Sequence, residues 1–527
     1  MRLKIETIRY PVDQELNILD TLVKRIKLTN DKIKDIKILR KSLDARKKQP
    51  FWVLSLEVTI EGISKAEEKR ILRLKGVSLS SNISFEPAVK PLRRKGEKVV
   101  IAGCGPAGIF TALTLVERGV KPVIIERGSV LEKRIENVER FWKEGILNED
   151  SNVQFGEGGA GTFSDGKLTT RIKDQRKFQV LRELVEAGAT EEIIYLNRPH
   201  LGSDQLISIL KKMREKLFSK GVEIRFENRL VDLIVEKGRL RGIETTEGIM
   251  EVDSLFLAIG HSSRDTYKML FRRGIAMTSK PFSIGFRIEH PQRYINLSRY
   301  GKWAFNPRLG AADYFLTYKD RESRRGVYTF CMCPGGYVIA GSSERETVTT
   351  NGMSHSLRNS QFSNSAVVAT VGPEDFGSDH PLAGVFFQRD LEKKAYILGG
   401  GGYMAPAQRA RDFLKGVASI DRISCTYLPG IKNCNLQDLV PLILHEPLKR
   451  GLLHFEKKMK GFIQEGVLVS IETRTSSPIR ILRNDKSYHS ISLPGLIPIG
   501  EGSGYSGGII SSAVDGIKAA ERFDFYV

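Results

Sequence analysis

Apolar residues in the first 95 positions follow patterns that predict a small α+β unit. Residues 3–10, 35–42 and 51–60 have the apolar and β-branched content of strands. Residues 64–75 are predicted to form a short helix. A longer helix is predicted from apolar side chains at helical spacing, namely Leu16, Leu19, Leu22, Val23 and Ile26.

The pattern changes at Val99, where strands and helices begin to alternate closely. This α/β pattern continues to about residue 275 and includes a hairpin-like stretch at 230–246. Residues 281–480 mix strand-like runs with glycine-rich loops, and an apolar strand, a glycine-rich turn and a last helix follow from Leu496. Pro87, Pro91 and the cluster at 93–96 indicate a linker. These changes divide the chain into segments 1–95, 96–280, 281–480 and 481–527.

Composition restricts the class of protein. A chain of 527 residues is long enough for about two to four domains. The charged start, Met1 to Lys4, has no apolar segment behind it, and no apolar run reaches the roughly 20 residues that span a bilayer. Five cysteines are too few for a disulfide framework and favour a reducing compartment, so we expect a cytoplasmic location.

The basic charge is concentrated at the start of the chain. The net charge is +21, and residues 1–98 contain 24 Lys and Arg against 13 Asp and Glu. One interpretation is a solvated basic surface. The other is a patch for nucleic acid, anionic lipid or an acidic substrate, with RNA as a candidate partner of the N-terminal domain.

The strongest local signal is a glycine turn between an apolar strand and a helix. In Val99 to Gly108, Gly103 permits the tight turn, Gly105 lets the backbone approach a pyrophosphate, and Gly108 lets the helix pack on its strand. Pro106 and Ala107 open the helix, whose N-terminus favours phosphate. The next strand ends at Glu126, 23 residues after Gly103, followed by Arg127; the acid is placed to bind ribose hydroxyls.

Two further strand ends resemble motifs of the glutathione-reductase-like flavoproteins. The strand at 496–499 runs into Gly500 and Glu501, followed by Gly507, Gly508 and a helix from Ile509. In those flavoproteins an acid at this place, usually Asp, binds the ribityl chain of FAD. The apolar strand at 255–259 ends in Gly260, like their middle motif. The resemblance therefore implies FAD.

Several longer blocks extend this resemblance over nearly the whole chain. They are residues 155–167, 281–291, 330–336, 351–354, 364–366 and 472–478. This set resembles the bacterial FAD-dependent dehydrogenases, also called NAD(P)/FAD-dependent oxidoreductases. The resemblance implies an α/β fold with a discontinuous FAD-binding Rossmann-type domain at 96–280 and 481–527. It also implies an inserted mixed α+β substrate domain at 281–480 and a small basic N-terminal α+β domain at 1–95.

Candidate site residues follow from these blocks. The 156–167 loop offers backbone N–H groups and hydroxyls to the flavin or pyrophosphate, through Gly158, Gly159, Gly161, Thr162, Ser164 and Lys167. The alternative is a purely structural loop. Arg287, Arg474 and His290, with His261, are candidates for holding an anionic substrate or stabilising reduced flavin. For each histidine the alternative is a loop or surface position.

Two other motifs have competing interpretations. Cys331 and Cys333 are interpreted as a packed, reduced pair, because a redox pair normally has the Cys-x-x-Cys spacing. Gly400 to Ala405 fits a second dinucleotide turn after the strand-like residues 395–398, which would provide an NAD(P)H site, but no strand ending in an acid follows.

The main hypothesis is an FAD-dependent oxidoreductase, with NAD(P)H as a possible electron donor and an unidentified substrate. The alternatives are an RNA-associated flavoprotein that uses the basic N-terminal domain, and a flavoprotein without turnover.

Overall fold

The computed structural model describes residues 1–46, 49–80 and 97–523. The predicted linker around Pro87, Pro91 and 93–96 lies outside the described residues, as does the expected boundary at 95/96. Within the described ranges the fold is mixed α/β with several separate sheets.

The strands are β1 (Arg2–Pro11), β2 (Ile33–Asp44), β3 (Phe51–Ile60), β4 (Val77–Leu79), β5 (Val99–Ala102), β6 (Val123–Ile125), β7 (Glu223–Arg225), β8 (Leu230–Glu236), β9 (Arg239–Thr245), β10 (Gly248–Glu251), β11 (Ser254–Leu257), β12 (Met277–Ser279), β13 (Phe282–Pro291), β14 (Thr317–Lys319), β15 (Gly326–Cys333), β16 (Gly336–Ala340), β17 (Thr350–Ser354), β18 (Phe362–Val371), β19 (Ala405–Arg409), β20 (Ile431–Asn433), β21 (Val467–Glu472), β22 (Ile479–Ile481) and β23 (Leu496–Pro498).

The α-helices are α1 (Ile18–Ile26), α2 (Lys65–Leu72), α3 (Pro106–Glu117), α4 (Leu131–Glu144), α5 (Arg176–Glu186), α6 (Glu192–Tyr195), α7 (Gly202–Ser219), α8 (Arg264–Arg272), α9 (Gln292–Tyr300), α10 (Ala383–Gly399), α11 (Ala410–Lys415), α12 (His445–Lys458), α13 (Phe462–Glu465) and α14 (Ile509–Arg522). None of these helices, in the part of the chain that the structure describes, is both long and apolar enough to span a bilayer.

The first 80 residues form an antiparallel sheet with strand order β2-β3-β1-β4. Alternate residues of β3 point inward, and they meet Leu22 and Ile26 of α1 and Ile71 of α2 in a separate small core. The strands and helices predicted for this segment are present, displaced by a few residues at their ends.

A five-stranded parallel sheet combines strands from distant parts of the chain. Its order is β7-β6-β5-β11-β23, so the chain order from one edge is third, second, first, fourth, fifth. All pairings in it are parallel. This is the strand order of a dinucleotide-binding sheet. All strands are parallel, but the side of the sheet on which successive strands are added changes between β5 and β11. Helices α3 and α14 pack on the same apolar core.

The second large sheet has seven strands, all of them within residues 282–472. Its order is β14-β15-β18-β13-β21-β19-β20, antiparallel except for the β19–β20 pair. Strands β12 and β22 pair antiparallel, Met277 with Ile481 and Ser279 with Ile479. The segment that leads into the seven-stranded sheet, β12, and the segment that leads out of it, β22, are therefore neighbours in space.

One predicted strand is wrong. Residues 395–398 lie inside helix α10, which ends at Gly399, and Gly400 closes the helix with a left-handed φ of 91°. A short apolar run does not distinguish a strand from a buried helix face. The glycines at 400–402 are thus the end of a helix and not the turn after a strand.

Candidate functional site

A cavity of about 810 Å³ lies between the two large sheets. On one side its wall is formed by residues that follow β5, β6, β11 and β23. On the other side the wall is formed by β13, β15, β18 and the residues after β21. Ligands of open α/β sheets bind at the carboxyl ends of the strands, where the strand order reverses. The cavity is therefore in the expected place and has the size of a small-molecule site.

The glycine turn forms one end of the cavity. Gly103 needs its glycine for the fold, because its φ is 114° and a Cβ would lie 2.3 Å from the carbonyl oxygen of Ala258. Gly105 differs: its backbone is extended, with φ −89°, and a Cβ would meet only Gly159 Cα, at 3.7 Å. Within the part of the chain that the structure describes, no protein contact requires glycine at 105, so the space beside it fits a ligand that approaches the backbone.

Glu126 ties the turn to the loop that follows. Its Oε2 accepts from Cys104 N at 2.8 Å, and its Oε1 accepts from Gly128 N at 2.9 Å and Gly156 N at 3.0 Å. A carboxylate offers about four acceptor sites, so about one remains toward the cavity that it lines. Glu126 thus shapes the site and keeps an acceptor for a ribose hydroxyl.

A buried arginine organises the loop at 152–162. The Arg134 guanidinium, fully buried, lies within hydrogen-bond distance of five backbone carbonyl oxygens, those of residues 152, 153, 156, 157 and 159. It also donates to Thr162 Oγ1 at 3.2 Å. Burial lowers the pKa of Arg134 to about 10, against the opposing effect of Glu126 and Glu157, so it is charged at neutral pH.

The C-terminal helix presents a second N-terminus to the cavity. Gly500 and Gly508 have left-handed φ values of 74° and 100°, and Gly508 caps α14. Glu501 lies between them, with Oε1 3.8 Å from His261 Nδ1. His261 lines the cavity, and its buried Nε2 has no hydrogen-bond partner among the described residues. Burial is the main cause that lowers the pKa of His261. The positive charges of Arg474 and Arg264 lower it too, whereas the negative charge of Glu501 raises it.

A buried charge cluster supports the opposite wall. Glu392 is fully buried and forms ion pairs with Arg264 at 2.7 Å and with Arg474 at 2.8 Å. Arg474 also donates to Ser262 Oγ at 3.1 Å and Ser343 Oγ at 2.6 Å. Four of its five N–H bonds are thereby used, which leaves one for a ligand in the cavity.

A second charge cluster lies under the strand β15. Arg287 is fully buried and contacts both oxygens of Glu472, at 2.9 and 3.1 Å. Burial raises the pKa of Glu472 to about 7, although Arg287 acts in the other direction. Asp165 forms two ion pairs, one with Lys167 at 3.1 Å and one with Arg358 at 2.6 Å.

The structure brings most predicted site residues to one place. Those that line the cavity are Gly103, Gly105, Pro106, Ala107, Glu126, Arg127, Gly159, Gly161, Ser164, Lys167, Gly260, Arg474, Gly500, Glu501, Gly507, Gly508 and Ile509. Gly108, Gly158 and Thr162 lie behind this wall. A Cβ at Gly108 would lie 2.0 Å from the carbonyl oxygen of Gly103, so Gly108 serves helix packing. Arg287 also lies behind the wall, but its partners Glu472 and Cys331 line the cavity.

The catalytic role predicted for His290 requires correction. The residue is fully buried away from the cavity, and its Nε2 lies 2.8 Å from the carbonyl oxygen of Phe462. Its ring packs against those of Phe462, Tyr294 and Tyr314. Burial lowers its pKa to about 4. His290 is therefore a neutral core residue of the seven-stranded sheet.

Sequence reasoning missed several residues of the site. Arg134 carried no signal, because it is one of several basic residues in an amphipathic helix. Glu392 stood in a run of charged residues that gave no sign of its burial. Gln154 and Tyr328, which line the cavity, also had no distinguishing pattern. The Cys-x-Cys motif did mark Cys331, but the spacing favoured a packing role.

Comparisons with known proteins agree with the predicted cofactor. Residues 281–475 match the family described as FAD-dependent protein, C-terminal domain-like. Residues 2–59 match a domain of unknown function. A Clostridium beijerinckii protein, called an uncharacterized protein, is 45% identical over 532 residues, which is 99% of this chain and 98% of that protein.

Solved structures resemble the chain more distantly. CtdE in complex with FAD has a TM-score of 0.30 at 12% identity, over 80% of this chain and 82% of that one. An L-amino acid deaminase from Proteus vulgaris has a TM-score of 0.32 at 12% identity, over 82% and 93%. A glycine oxidase from Bacillus cereus has a TM-score of 0.31 at 12% identity, over 81% and 94%.

Substitution of Gly105 should separate cofactor binding from folding. Because a Cβ meets no protein atom closer than 3.7 Å, Gly105→Ala should leave the stability of the apoprotein within about 0.5 kcal/mol of wild type. The methyl should weaken FAD binding by about 1–3 kcal/mol, the usual cost of overfilling a packed space. Binding is measured by flavin fluorescence, and Gly105→Val should abolish it.

The matched control is Gly326→Ala, at a strand glycine outside the cavity where a Cβ would have a contact of 3.5 Å. It should leave FAD affinity unchanged. Equal affinity of Gly105→Ala and wild type would contradict the assignment of the pyrophosphate to this turn.

Removal of the Arg134 guanidinium should disorder the loop. Arg134→Met leaves several buried carbonyl groups without a donor, and each costs about 1–3 kcal/mol, so unfolding should become easier by at least about 3 kcal/mol. FAD content should fall with it. Urea denaturation and the absorbance ratio of flavin to protein measure both effects. Arg140→Met on the same helix, where the side chain is exposed, is the control and should change neither.

Acid should destabilise the fold through His290. Its folded pKa of about 4 lies below the ordinary 6.5, so the unfolded chain binds the proton first. Stability from this group is complete above pH 6.5 and is lost toward pH 4, up to about 3 kcal/mol at about 1.4 kcal/mol per unit. His290→Gln should flatten this part of the stability–pH curve, whereas His454→Gln should not. An unchanged slope in His290→Gln would contradict the neutral core assignment.

Proposed function

We propose that this chain, which belongs to one family with the Clostridium beijerinckii protein and matches the FAD-dependent family over residues 281–475, is an FAD-dependent oxidoreductase. In this proposal electrons pass between the flavin and a small molecule bound in the same cavity. The observation that carries it is the cavity itself, in which a dinucleotide turn and two helix N-termini face a wall of buried charges. A site built only to retain a cofactor has no need of that second wall.

The proposed architecture is a discontinuous Rossmann-type FAD domain, made of residues 96–280 and 481–527, with residues 281–480 inserted as the substrate domain. The parallel sheet supports it, because β23 from the C-terminal segment completes a sheet begun by β5. The antiparallel pair β12–β22 marks both ends of the insertion. The proposal assigns residues 1–95 to a small N-terminal α+β domain, which the four-stranded sheet and two helices within the described residues 1–46 and 49–80 support.

The residues of the parallel-sheet side would hold the cofactor. The N-terminus of α3 at Gly105 and Pro106 suits the pyrophosphate, and Glu126 suits the ribose of the adenosine half. The loop at 159–164 and the N-terminus of α14 at Gly508 suit the flavin half. When bound, FAD supplies the two-electron redox chemistry, while the protein binds and orients it.

The residues of the opposite wall would position the substrate. Arg474 has one N–H bond left after its contacts with Glu392, Ser262 and Ser343. The guanidinium is held rigid by these contacts, so a partner of that N–H bond would be fixed in place. Lys167, about one third exposed, adds a second cation to the wall. Both cations favour a substrate or product with negative charge near the ring.

NAD(P)H, as electron donor, would enter this cavity and not a second site. The glycines at 400–402 follow helix α10 and form its C-terminal cap, so they lack the strand, turn and helix of a dinucleotide motif. A nicotinamide held only in the shared cavity has few phosphate contacts. Its binding should therefore be weak.

The purified protein should contain FAD and not FMN. The turn around Gly105 and the acid Glu126 are placed for a pyrophosphate and a ribose, which FMN lacks. Chromatography of the flavin released on denaturation identifies it. FMN as the bound flavin, or a protein that cannot be reconstituted with any flavin, would refute the proposed function.

Anaerobic stopped-flow reduction with NADH and NADPH tests the donor. We expect slow reduction of the flavin without saturation, and the rate of reduction should fall further in Arg474→Met. The variant should still fold, because Glu392 keeps Arg264 as its partner. Gly402→Asn is the control, since asparagine tolerates the left-handed φ of 60° there. Tight, saturable reduction that survives Arg474→Met but is lost in Gly402→Asn would assign the nucleotide to the 400–402 turn instead.

A further inference from the structure

Two cysteines stand at the cavity wall opposite the glycine turn. Cys331 lines the cavity, and Cys333 is fully buried behind it. They occupy a bulge in β15, where the register against β18 shifts between Phe330 and Cys333. Cys333 Sγ lies 3.3 Å from the carbonyl oxygen of Cys331, so the second thiol is turned back toward the first cysteine.

The backbone at the first cysteine is strained. Cys331 has φ 47°, in the left-handed region that residues with a side chain seldom adopt. Such strain persists where the surroundings hold it, and it concentrates at functional sites. A bulge also bends its strand and leaves the extra residue outside the regular ladder.

Two cations lie beside the pair. Arg287 Nη2 donates to the carbonyl oxygen of Cys331 at 2.7 Å and lies 3.3 Å from Cys333 Sγ. Lys167 Nζ lies 3.9 Å from Cys333 Sγ. The thiol of Cys333, then Lys167 and Arg287, hold the pKa of Cys331 well below its usual range, although burial and Asp165 oppose them.

The charges around the pair do not balance without a thiolate. Lys167, Arg287 and Arg358 are three cations, against the carboxylate of Asp165 and a Glu472 whose pKa burial raises to about 7. A thiolate in the pair reduces the excess of positive charge that these two carboxyl groups leave. If the two cysteines only filled space, this excess of positive charge would destabilise the folded protein and serve no function.

We propose that Cys331 and Cys333 are a redox-active dithiol that exchanges two electrons with the flavin in this cavity. The proposal rests on the proposed function for the presence of FAD. The Cys331 thiolate and the Cys333 thiol lose two electrons and one proton and form one S–S bond. Oxidised flavin takes up both electrons and the proton, so atoms and charge balance. The packed, reduced pair expected from the sequence is the reduced state of this couple.

The other three cysteines provide internal controls. Cys104, Cys425 and Cys434 do not line the cavity, and burial raises the pKa of each of their thiols. In the described ranges, no hydrogen bond or ion pair joins any of these three thiols to a cation, whereas Arg287 and Lys167 contact Cys333 Sγ. A chemical treatment that distinguishes Cys331 and Cys333 from these three therefore reports on the site and not on thiols in general.

Electron counting on the holoprotein tests the exchange. Oxidised wild type, titrated anaerobically with dithionite, should take up four electrons per FAD, and Cys331→Ser and Cys333→Ser should each take up two. Cys434→Ser is the matched control and should take up four. Two electrons per FAD in wild type and variants alike would overturn the proposal.

Differential alkylation with mass spectrometry tests the disulfide without relying on flavin chemistry. In oxidised glutathione, wild type should lose two free thiols and both should be mapped to Cys331 and Cys333. The disulfide should form again when fully reduced protein is reoxidised through its flavin. A disulfide that forms with glutathione but never with the flavin overturns the coupling, whereas a protein without FAD refutes the proposed function separately.

The role of Lys167 is tested by the alkylation rate of Cys331 against pH in reduced protein. The groups that act on the Cys331 thiol are Cys333, Lys167, Arg287, Asp165 and Glu472, and Arg358 acts on Lys167. Lys167→Met should move the midpoint of the rate–pH curve upward by about one unit, which slows alkylation about tenfold at pH values below both midpoints. Lys167→Arg should restore most of the rate. Equal rates in all three proteins would show that the thiolate is not stabilised here.

Discussion

Arg134 bonds to five carbonyl oxygens of a single loop while its guanidinium is excluded from solvent. Carbonyl groups at a glycine-rich loop would otherwise turn toward water, and the loop would leave the cavity. The neighbouring Gly156 leaves room for the arginine, since a Cβ there would lie 2.4 Å from Arg134 Cδ. Through Gly159, whose Cα faces Gly105, this one side chain sets the shape of the pyrophosphate site.

A second constraint joins the two sheets across the cavity. Arg264 begins the helix after β11, Glu392 belongs to α10, and Arg474 follows β21. A buried charge pair is a costly way to gain stability, since apolar residues of equal volume do as well. A charge network does, however, demand fixed positions for all its members. The triad therefore fits a role in holding the two walls at a set separation, which an apolar contact would define less strictly.

The sequence made the parallel-sheet side of the site predictable and left the other side largely hidden. Gly103, Gly105 and Glu126 each follow a strand at a spacing set by the ligand, so their positions are local properties of the chain. Arg134 and Arg140 look alike in the sequence, and only the tertiary fold distinguishes the buried one from the exposed one.

Misassigned elements have the same origin. Residues 395–398 are as apolar as a strand, but they belong to a long helix whose burial depends on strands far along the chain. His290 lies in a block that resembles a flavoprotein family, and its position in a strand between Glu289 and Pro291 did not reveal which way the ring points. It points into the core, where aromatic rings surround it.

The cationic wall near β15 gives these separate observations a common physical reason. Lys167, Arg287 and Arg358 outnumber the carboxyl groups of Asp165 and Glu472, and an anion beside them reduces this excess of positive charge. With both thiols reduced, the anion is the Cys331 thiolate. With the disulfide formed, the sulfur atoms are neutral, and the same excess is left to stabilise the negative charge of a reduced flavin. The exchange moves one negative charge from the sulfur to the ring within a single field, so neither state leaves the buried cations without a counter-charge.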